Sequence, residues 1–166
     1  MSFLFSNDND NQELPSYDAI NNLNLLNNVC KETMRLYPPV PMTSRINVKD
    51  TVLGGQYVVP EGTRIFISPL ITHTDPNYWG EDANVFRPSR WNESPADQVN
   101  PYVYMPFLQG GRMCIGYRFA LIEFKIIMAL LITQLKFSEK PGFEPRMTQQ
   151  VTLRPKPDMT LMVEKV

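Results

Sequence analysis

A cysteine stands between glycines and close to an arginine, directly ahead of a long apolar run. The string reads Phe-Leu-Gln-Gly-Gly-Arg-Met-Cys-Ile-Gly at residues 107–116, and the run from Tyr117 to Leu135 is predicted to form a helix. Cys114 therefore lies at or just before a helix N-terminus, where free backbone N–H groups and the helix dipole favour a negatively charged sulfur. The glycines allow positive φ and the close approach of a flat group. Arg112 adds a permanently charged fork that suits a carboxylate or phosphate.

A thiolate, a close-approach loop and an anion clamp together suit a haem, with sulfur bound to iron and arginine to a propionate. Taken alone, a single cysteine ahead of a helix is more often a small buried hydrophobic residue. The whole string, however, resembles the haem-binding loop of the cytochrome P-450 family of haem-thiolate monooxygenases, whose pattern is F-x-x-G-x-R-x-C-x-G. The matching residues are Phe107, Gly110, Arg112, Cys114 and Gly116. Ala120 falls where the family often has alanine, and Leu108 stands where it usually has glycine or serine.

Two further strings resemble the same family. Lys31–Pro39, Lys-Glu-Thr-Met-Arg-Leu-Tyr-Pro-Pro, is similar to the K-helix, whose mark is E-x-x-R; Glu32 and Arg35 share a helix face at this spacing. In isolation such a pair is read as a surface ion pair worth less than about 1 kcal/mol. Phe86–Trp91 is similar to the family segment F-x-P-E-R-W, with serine in place of the glutamate. The resemblance implies that Arg90 joins Glu32 and Arg35 in a buried structural triad.

Local patterns predict the remaining elements. Ser16 is predicted to cap a helix that asparagines at 21, 22 and 24 divide in two and that Pro38-Pro39 ends. Strands are predicted at Arg45–Val48, Thr51–Leu53, Gln56–Val59 and Thr63–Ser68, with Gly54-Gly55 as a hairpin turn. The segment from Trp91 to Met105 is predicted to be irregular. A last hairpin is predicted to pair Gln149–Leu153 with Met159–Val163 about a turn at Arg154–Asp158.

The fold that the resemblance implies is mainly α with a small β-region. It is the C-terminal part of the cytochrome P-450 fold: K-helix, β-hairpins, meander, cysteine-ligand loop, L-helix and terminal β-hairpin. Residues 1–13, which include an Asn/Asp-rich stretch, are predicted to be a disordered tail. Residues 14–166 are predicted to be the C-terminal portion of the family domain, with the upstream part missing.

Composition excludes several classes of protein. The 166 residues carry a net charge of −1, so nothing favours nucleic-acid binding. Two cysteines, Cys30 and Cys114, are too few for a disulfide scaffold, and the single histidine, His73, rules out most histidine-built zinc sites. The longest uncharged apolar stretch is Ile126–Leu135, about half a membrane span. The chain as given is therefore predicted to lack a membrane anchor, whereas a full-length family member is expected at the endoplasmic reticulum membrane.

The resemblance also implies a cofactor, partners and site residues. The cofactor is haem b, with Cys114 as the axial ligand of its iron, a ligand that favours O–O cleavage. Residues implied to contact the haem are Phe107, Gly110, Arg112, Ile115, Gly116, Ala120 and Arg45. Residues implied to face a lipophilic substrate are Val40, Met42, Gln150 and Val151. Electrons would come from a flavoprotein reductase or a ferredoxin, and Lys31, Arg112 and Arg118 are candidates for its docking face.

The oxygen-binding helix of the family is absent from this sequence, since no A/G-G-x-D/E-T pattern occurs. No catalytic residue is therefore assigned, and the 166 residues alone are expected not to hydroxylate a substrate. One alternative is a non-catalytic remnant of the family, with or without haem binding. Another is a thiol enzyme that uses Cys114 as nucleophile, which lacks an adjacent base because His73 is distant in sequence. His73 itself is predicted to make structural hydrogen bonds.

Overall fold

Two helices begin the part of the chain that the computed structural model describes, residues 16–93 and 100–166. Ser16 caps α1 (Tyr17–Asn21) by accepting a hydrogen bond from the N–H of Ala19 at 3.2 Å. α2 (Asn24–Leu36) follows after two residues, so the predicted division of the helix is confirmed. It ends just before the double proline, whose rings and missing N–H groups prevent its continuation. The predicted tail, residues 1–13, lies outside the described residues.

The apolar core lies where α1 and α2 meet the long helix α6 (Tyr117–Gln134). The predicted helix is confirmed to within one residue at its end. The buried core residues are Ile20, Leu26 and Ala129, and the apolar residues packed around them are Leu23, Ile122, Ile126 and Met128. Removing this surface from water is the main favourable contribution of the interface. Other apolar side chains of α6 remain exposed, and none of the described helices is long and apolar enough to cross a membrane.

Four short strands between α2 and the first of three small helices form two antiparallel pairs. β1 (Thr43–Ile46) pairs with β4 (Arg64–Ile67), and β2 (Thr51–Leu53) pairs with β3 (Tyr57–Val59). The β2–β3 turn contains Gly54 and Gly55 at φ 59° and 73°, the positive values that a tight hairpin needs. β1 begins and ends two residues earlier than predicted. Backbone bonding continues past β1, where the N–H of Asn47 donates to the carbonyl of Thr63 at 2.9 Å, and the Asn47 side chain donates to three backbone carbonyls of the 49–60 segment.

The predicted strand pairing of the terminal hairpin is wrong. β6 (Arg146–Gln149) pairs with β7 (Leu153–Lys156), so three of the five residues predicted as a turn, Arg154–Lys156, lie in a strand. β8 (Leu161–Lys165) pairs instead with β5 (Leu135–Glu139), a strand that directly follows α6 and was not predicted. The prolines of the 153–158 stretch suggested a turn. A proline is nevertheless tolerated in a two-stranded ribbon, because each strand has an open edge that needs no N–H donor.

Three helices of four or five residues connect the strands to the loop ahead of α6. They are α3 (Pro69–His73), α4 (Pro76–Trp79) and α5 (Arg90–Glu93). The segment predicted to be irregular therefore begins inside α5, continues through residues 94–99, which are outside the described residues, and consists of turns and bends from 101 to 104.

His73 joins three parts of the fold and is fully buried. Its Nε2 accepts the N–H of Met105 at 2.9 Å, so Nδ1 carries the proton and donates to the carbonyl oxygen of Arg35, 3.1 Å away. The carbonyl of His73 in turn accepts from the Arg35 guanidinium at 2.7 Å. Burial lowers the pKa of His73 from 6.5 to about 4, so the imidazole stays neutral in the folded chain.

The neutral imidazole predicts an acid-sensitive fold. Unfolded His73 takes up a proton as the pH falls through 6.5, while folded His73 does so only near pH 4. We therefore expect the free energy of unfolding to fall by about 2 kcal/mol between pH 7.5 and pH 5. Urea denaturation across this range measures it. His73→Gln keeps a donor and an acceptor without titrating, and should give a nearly flat profile; the same slope in that variant would contradict the assignment.

Candidate functional site

A buried carboxylate, that of Glu32 on α2, collects five hydrogen bonds. Its side chain has no exposed area. The donors are Arg35 Nε and a terminal Arg35 nitrogen at 2.9 Å, the Arg87 backbone N–H at 2.9 Å, Arg90 Nε at 2.9 Å and Trp91 Nε1 at 3.1 Å. Burial alone would raise the pKa of Glu32, but the bonds from these donors outweigh it and hold the pKa below its usual value. Glu32 is thus an anion shielded from water.

The two guanidiniums around Glu32 also bind backbone oxygens. Arg35 donates to the carbonyls of His73, Ala83 and Val85, and lies 5.0 Å from the ring of Trp79. Arg90 donates to the carbonyls of Asp82 and Val85 and, at 3.2 Å, to the Asp82 carboxylate. The structure therefore brings the three residues of the predicted triad together.

Sequence reasoning missed three members of this cluster: Asp82, Arg87 and Trp91. Asp82 forms ion pairs with Arg87 at 2.6 Å and with Arg90 at 3.2 Å. Those guanidiniums lower the pKa of Asp82, against the opposing effect of burial. Arg87 and Trp91 belong to the same Phe-Arg-Pro-Ser-Arg-Trp string as Arg90, so the string contained the signal for two of them. The cluster links residues 79–91 to α2. Its role is therefore structural, and it does not bind a substrate.

The cysteine loop is closed by its own backbone. The N–H of Cys114 donates to the carbonyl of Phe107 at 2.9 Å, and a single 3₁₀ turn spans Gly110–Arg112 between them. Gly116 then serves as the N-cap of α6. Cys114 is exposed, and its sulfur lies 4.0 Å from the point where a side chain at Gly116 would begin. The loop thus presents a thiol at the start of a helix, as the sequence predicted.

Leu108 adopts a backbone conformation that leucine rarely takes. Its φ is 62°, in the left-handed region, and it is the only non-glycine residue with positive φ in the described ranges 16–93 and 100–166. Its N–H donates to the carbonyl of Met105 at 2.9 Å, which fixes a tight turn ahead of the cysteine. A Cβ in this region costs about 1–2 kcal/mol, and a glycine avoids that cost.

The residues around Cys114 fit a haem. Arg112 and Ile115 are exposed, Ile115 completely, and Phe119 on α6 is 70% exposed. An added Cβ at Gly110 or Gly111 would meet nothing within 4 Å, so the backbone there is open to close approach. A thiol, a cation and apolar side chains on one exposed loop and helix start suit a flat, amphipathic, iron-bearing ligand. By contrast, no cluster of three histidine, cysteine or acidic side chains able to hold a bare metal ion occurs among the described residues.

The other predicted contacts lie on separate elements. Ala120 is exposed on the first turn of α6, while Arg45 on β1 donates to Thr43 Oγ1 and the carbonyl of Ser44, within its own strand. No hydrogen bond or ion pair of the described residues links Arg45 to the cysteine loop. Of the predicted docking residues, Arg118 donates to the Tyr117 hydroxyl and Lys31 lies 5.5 Å from the Trp91 ring.

The predicted substrate-facing residues form two exposed groups, brought close by one backbone bond. Val40 and Met42 are 41% and 43% exposed after the double proline, and Val151 is 90% exposed in the β6–β7 turn with Gln150. The N–H of Leu153 donates to the carbonyl of Pro39 at 2.8 Å and ties the two segments together.

Comparison with known proteins identifies the family of the chain. The family model described as "Cytochrome P450" matches residues 7–162. The chain belongs to the cytochrome P450 family. Cytochrome P450 72A397 of Kalopanax septemlobus is 34% identical over 153 residues, which are 92% of this chain and 29% of the relative. Cytochrome P450 3A12 of Canis lupus familiaris is 36% identical over 158 residues, 93% of this chain and 31% of the relative.

A third cytochrome P450 relative is a fusion protein. The bifunctional cytochrome P450/NADPH–P450 reductase 2 of Bacillus subtilis (strain 168) is 36% identical over 143 residues, 86% of this chain and 13% of that protein. The chain therefore spans less than a third of the length of each of these curated relatives.

The charge cluster of this cytochrome P450 chain predicts that substitution of two different glutamates destabilises the fold to very different extents. Glu32→Ala leaves Arg35 buried without its anion and removes the buried partner of Arg90, and should lower the free energy of unfolding by about 3–5 kcal/mol. Glu93→Ala removes an ion-pair partner of Arg87 that is 60% exposed, and should cost less than about 1 kcal/mol. Urea unfolding measures both, with soluble yield as the readout if the first variant does not accumulate. Equal losses would contradict a buried, fully bonded Glu32.

The strained turn predicts an inverted order of two substitutions. At ordinary positions alanine gives a more stable protein than glycine, by about 0.4–1 kcal/mol. At Leu108 both variants lose the apolar part of the side chain, but only glycine accepts positive φ freely. The free energy of unfolding of Leu108→Gly should therefore be about 1 kcal/mol higher than that of Leu108→Ala. Gln109, at φ −140°, is the matched control and should keep the ordinary order. Thermal unfolding of the four variants measures the two differences. If the alanine variant is more stable than the glycine variant at both positions, the backbone of Leu108 is not strained.

Proposed function

We propose that this chain supplies the haem-thiolate part of a cytochrome P450 monooxygenase, an oxidoreductase that inserts one oxygen atom from O₂ into a lipophilic organic substrate. The observation that carries the proposal is the exposed thiol of Cys114, presented by a glycine-containing loop at the start of α6. Family membership supports haem-dependent monooxygenase chemistry in general. The exposed apolar and cationic surroundings of the thiol support the assignment to these residues.

Each proposed contact with haem b follows from the chemistry of its side chain. Cys114 would hold the iron through its sulfur, and Arg112 and Arg45 would bind the propionates. Phe107, Ile115 and Ala120 offer apolar surface, while Gly110 and Gly116 allow close approach. Haem b, when bound, supplies the oxygen chemistry. The protein residues bind and orient the ring, and the start of α6 stabilises negative charge on the sulfur.

The proposed substrate wall is the pair of segments joined by the Leu153–Pro39 hydrogen bond. Val40, Met42 and Val151 present apolar side chains there, and Gln150 adds an amide that can orient a polar substituent. This composition suits a lipophilic substrate with few polar groups.

The proposed electron donor is a flavoprotein reductase or a ferredoxin. The Bacillus subtilis relative, whose name joins cytochrome P450 to an NADPH–P450 reductase, supports the former. Lys31, Arg112 and Arg118 are proposed as cationic contacts for an acidic partner surface. Such contacts mainly raise the association rate and weaken with salt.

Haem ligation distinguishes the two cysteines. The ferrous carbon monoxide spectrum of the haem-loaded wild-type chain should show the thiolate-type band. That band should vanish in Cys114→Ala and persist in the matched variant Cys30→Ala. Cys30 is buried on α2, and burial raises the pKa of its thiol to about 11, which disfavours the thiolate that iron needs. A thiolate band that survives loss of Cys114 would overturn the assignment. Failure of the folded wild-type chain to bind haem would favour the non-catalytic alternative.

A further inference from the structure

A cavity of about 220 Å³ lies behind the cysteine loop, between α2 and α6. Its apolar wall includes Met34 from α2, Leu108 and Met113 from the loop, and Leu121 from α6. Phe107 is the only residue that lines the cavity and is also a proposed haem contact. The proposed haem and substrate contacts therefore leave this cavity unexplained.

The cavity has room for a small ligand. A protein cavity of about 150 Å³ lined by leucine, isoleucine and phenylalanine binds a benzene-sized molecule. A space of 220 Å³ therefore holds a single ring or a short aliphatic chain. Leucine, phenylalanine and the adaptable side chains of two methionines offer such a group a continuous apolar surface.

Among the described residues, the charged side chains that line the cavity are lysines. Lys31 and Lys125 line it, and no aspartate or glutamate lines it in the part of the chain that the structure describes. The ammonium of Lys125 donates to the neutral amide oxygen of Asn21 at 2.9 Å, so this partner leaves its charge uncompensated. The Lys125 ammonium also acts on Cys30, which lines the cavity, and opposes the larger effect of burial on the pKa of that thiol. The positive potential of Lys125 therefore extends into the cavity.

An apolar cavity with a cationic side selects a ligand with an apolar body and one negative end. We propose that the cavity between α2 and α6 binds a small monocarboxylate, with its chain or ring against Leu108 and Leu121 and its carboxylate at Lys125. This site goes beyond the proposed monooxygenase function and needs no haem. Because Leu108 and Phe107 belong to the cysteine loop, an occupant would pack directly against the turn that precedes Cys114.

The first test uses the two cysteines as internal reporters. Octanoate is the probe, added to the haem-free chain below its self-association concentration, and iodoacetamide alkylation is followed by peptide mass spectrometry. At an octanoate concentration ten times Kd, alkylation of Cys30, which lines the cavity, should slow about tenfold. Alkylation of the exposed Cys114 should not change. Equal slowing at both residues, or none at Cys30, would overturn the proposal.

The second test separates the cavity from the exposed face of the same helix. Leu121→Trp fills the cavity and should abolish octanoate binding measured by calorimetry. Ile127→Trp introduces the same side chain at a position that is 48% exposed and does not line the cavity, and should bind normally. Circular dichroism verifies that both variants fold. Binding that survives in a folded Leu121→Trp variant, or is lost in both, contradicts the site.

The third test isolates the charge and does not depend on the tryptophan variants. Lys125→Met should weaken octanoate binding about fivefold, the effect of one partly exposed ion pair, and leave binding of neutral octanol unchanged. If octanol binds the wild-type chain as tightly as octanoate, the cavity takes a neutral apolar ligand and the carboxylate proposal fails. A parallel loss for both ligands would show that Lys125 acts through packing, and would also refute the proposal.

Discussion

The bonds to the Glu32 carboxylate are the interaction on which the rest of this structure depends. A buried carboxylate without partners costs several kcal/mol, so the anion is stable only when its donors are all in place. Those donors come from α2 itself and from residues 87–91, more than fifty residues downstream. The burial of Glu32 on α2 therefore depends on the position of that segment. Arg35 extends the arrangement to His73, and His73 extends it to Met105, at the entrance of the cysteine loop.

The sequence predicted the elements and contacts that depend on local pattern. The helical period, Ser16 and the double proline located α1 and α2, and two glycines located the β2–β3 turn. The string around Arg90 predicted the contact of Arg90 with Glu32, which helical or strand periodicity could not predict. Asp82 was missed because turns and bends, and no single helix or strand, separate it from its partners Arg87 and Arg90. Its importance depends on where the intervening chain turns, which no short pattern encodes.

The C-terminal strands show a second limit of local patterns. Every residue of β8 is exposed, so no alternation between buried and exposed positions marks its partner or register. The pairing is then determined by where α6 ends and β5 begins. That boundary falls between Gln134 and Leu135, where no glycine or proline marks the end of the helix. The strained φ of Leu108 was equally hidden, since the sequence shows an unusual residue there but not its backbone angle.

The hydrogen bond between the N–H of Met105 and His73 also defines what a transplantable cysteine loop must contain. A graft of residues 107–116 onto another scaffold would carry the thiol, its glycines and its internal bond to Phe107. It would not carry the imidazole of His73, which holds the backbone of Met105 just ahead of the loop. The smallest portable unit of this region therefore includes an acceptor for Met105 as well as the loop. A recipient protein would need a neutral, buried histidine or an equivalent amide in the same position.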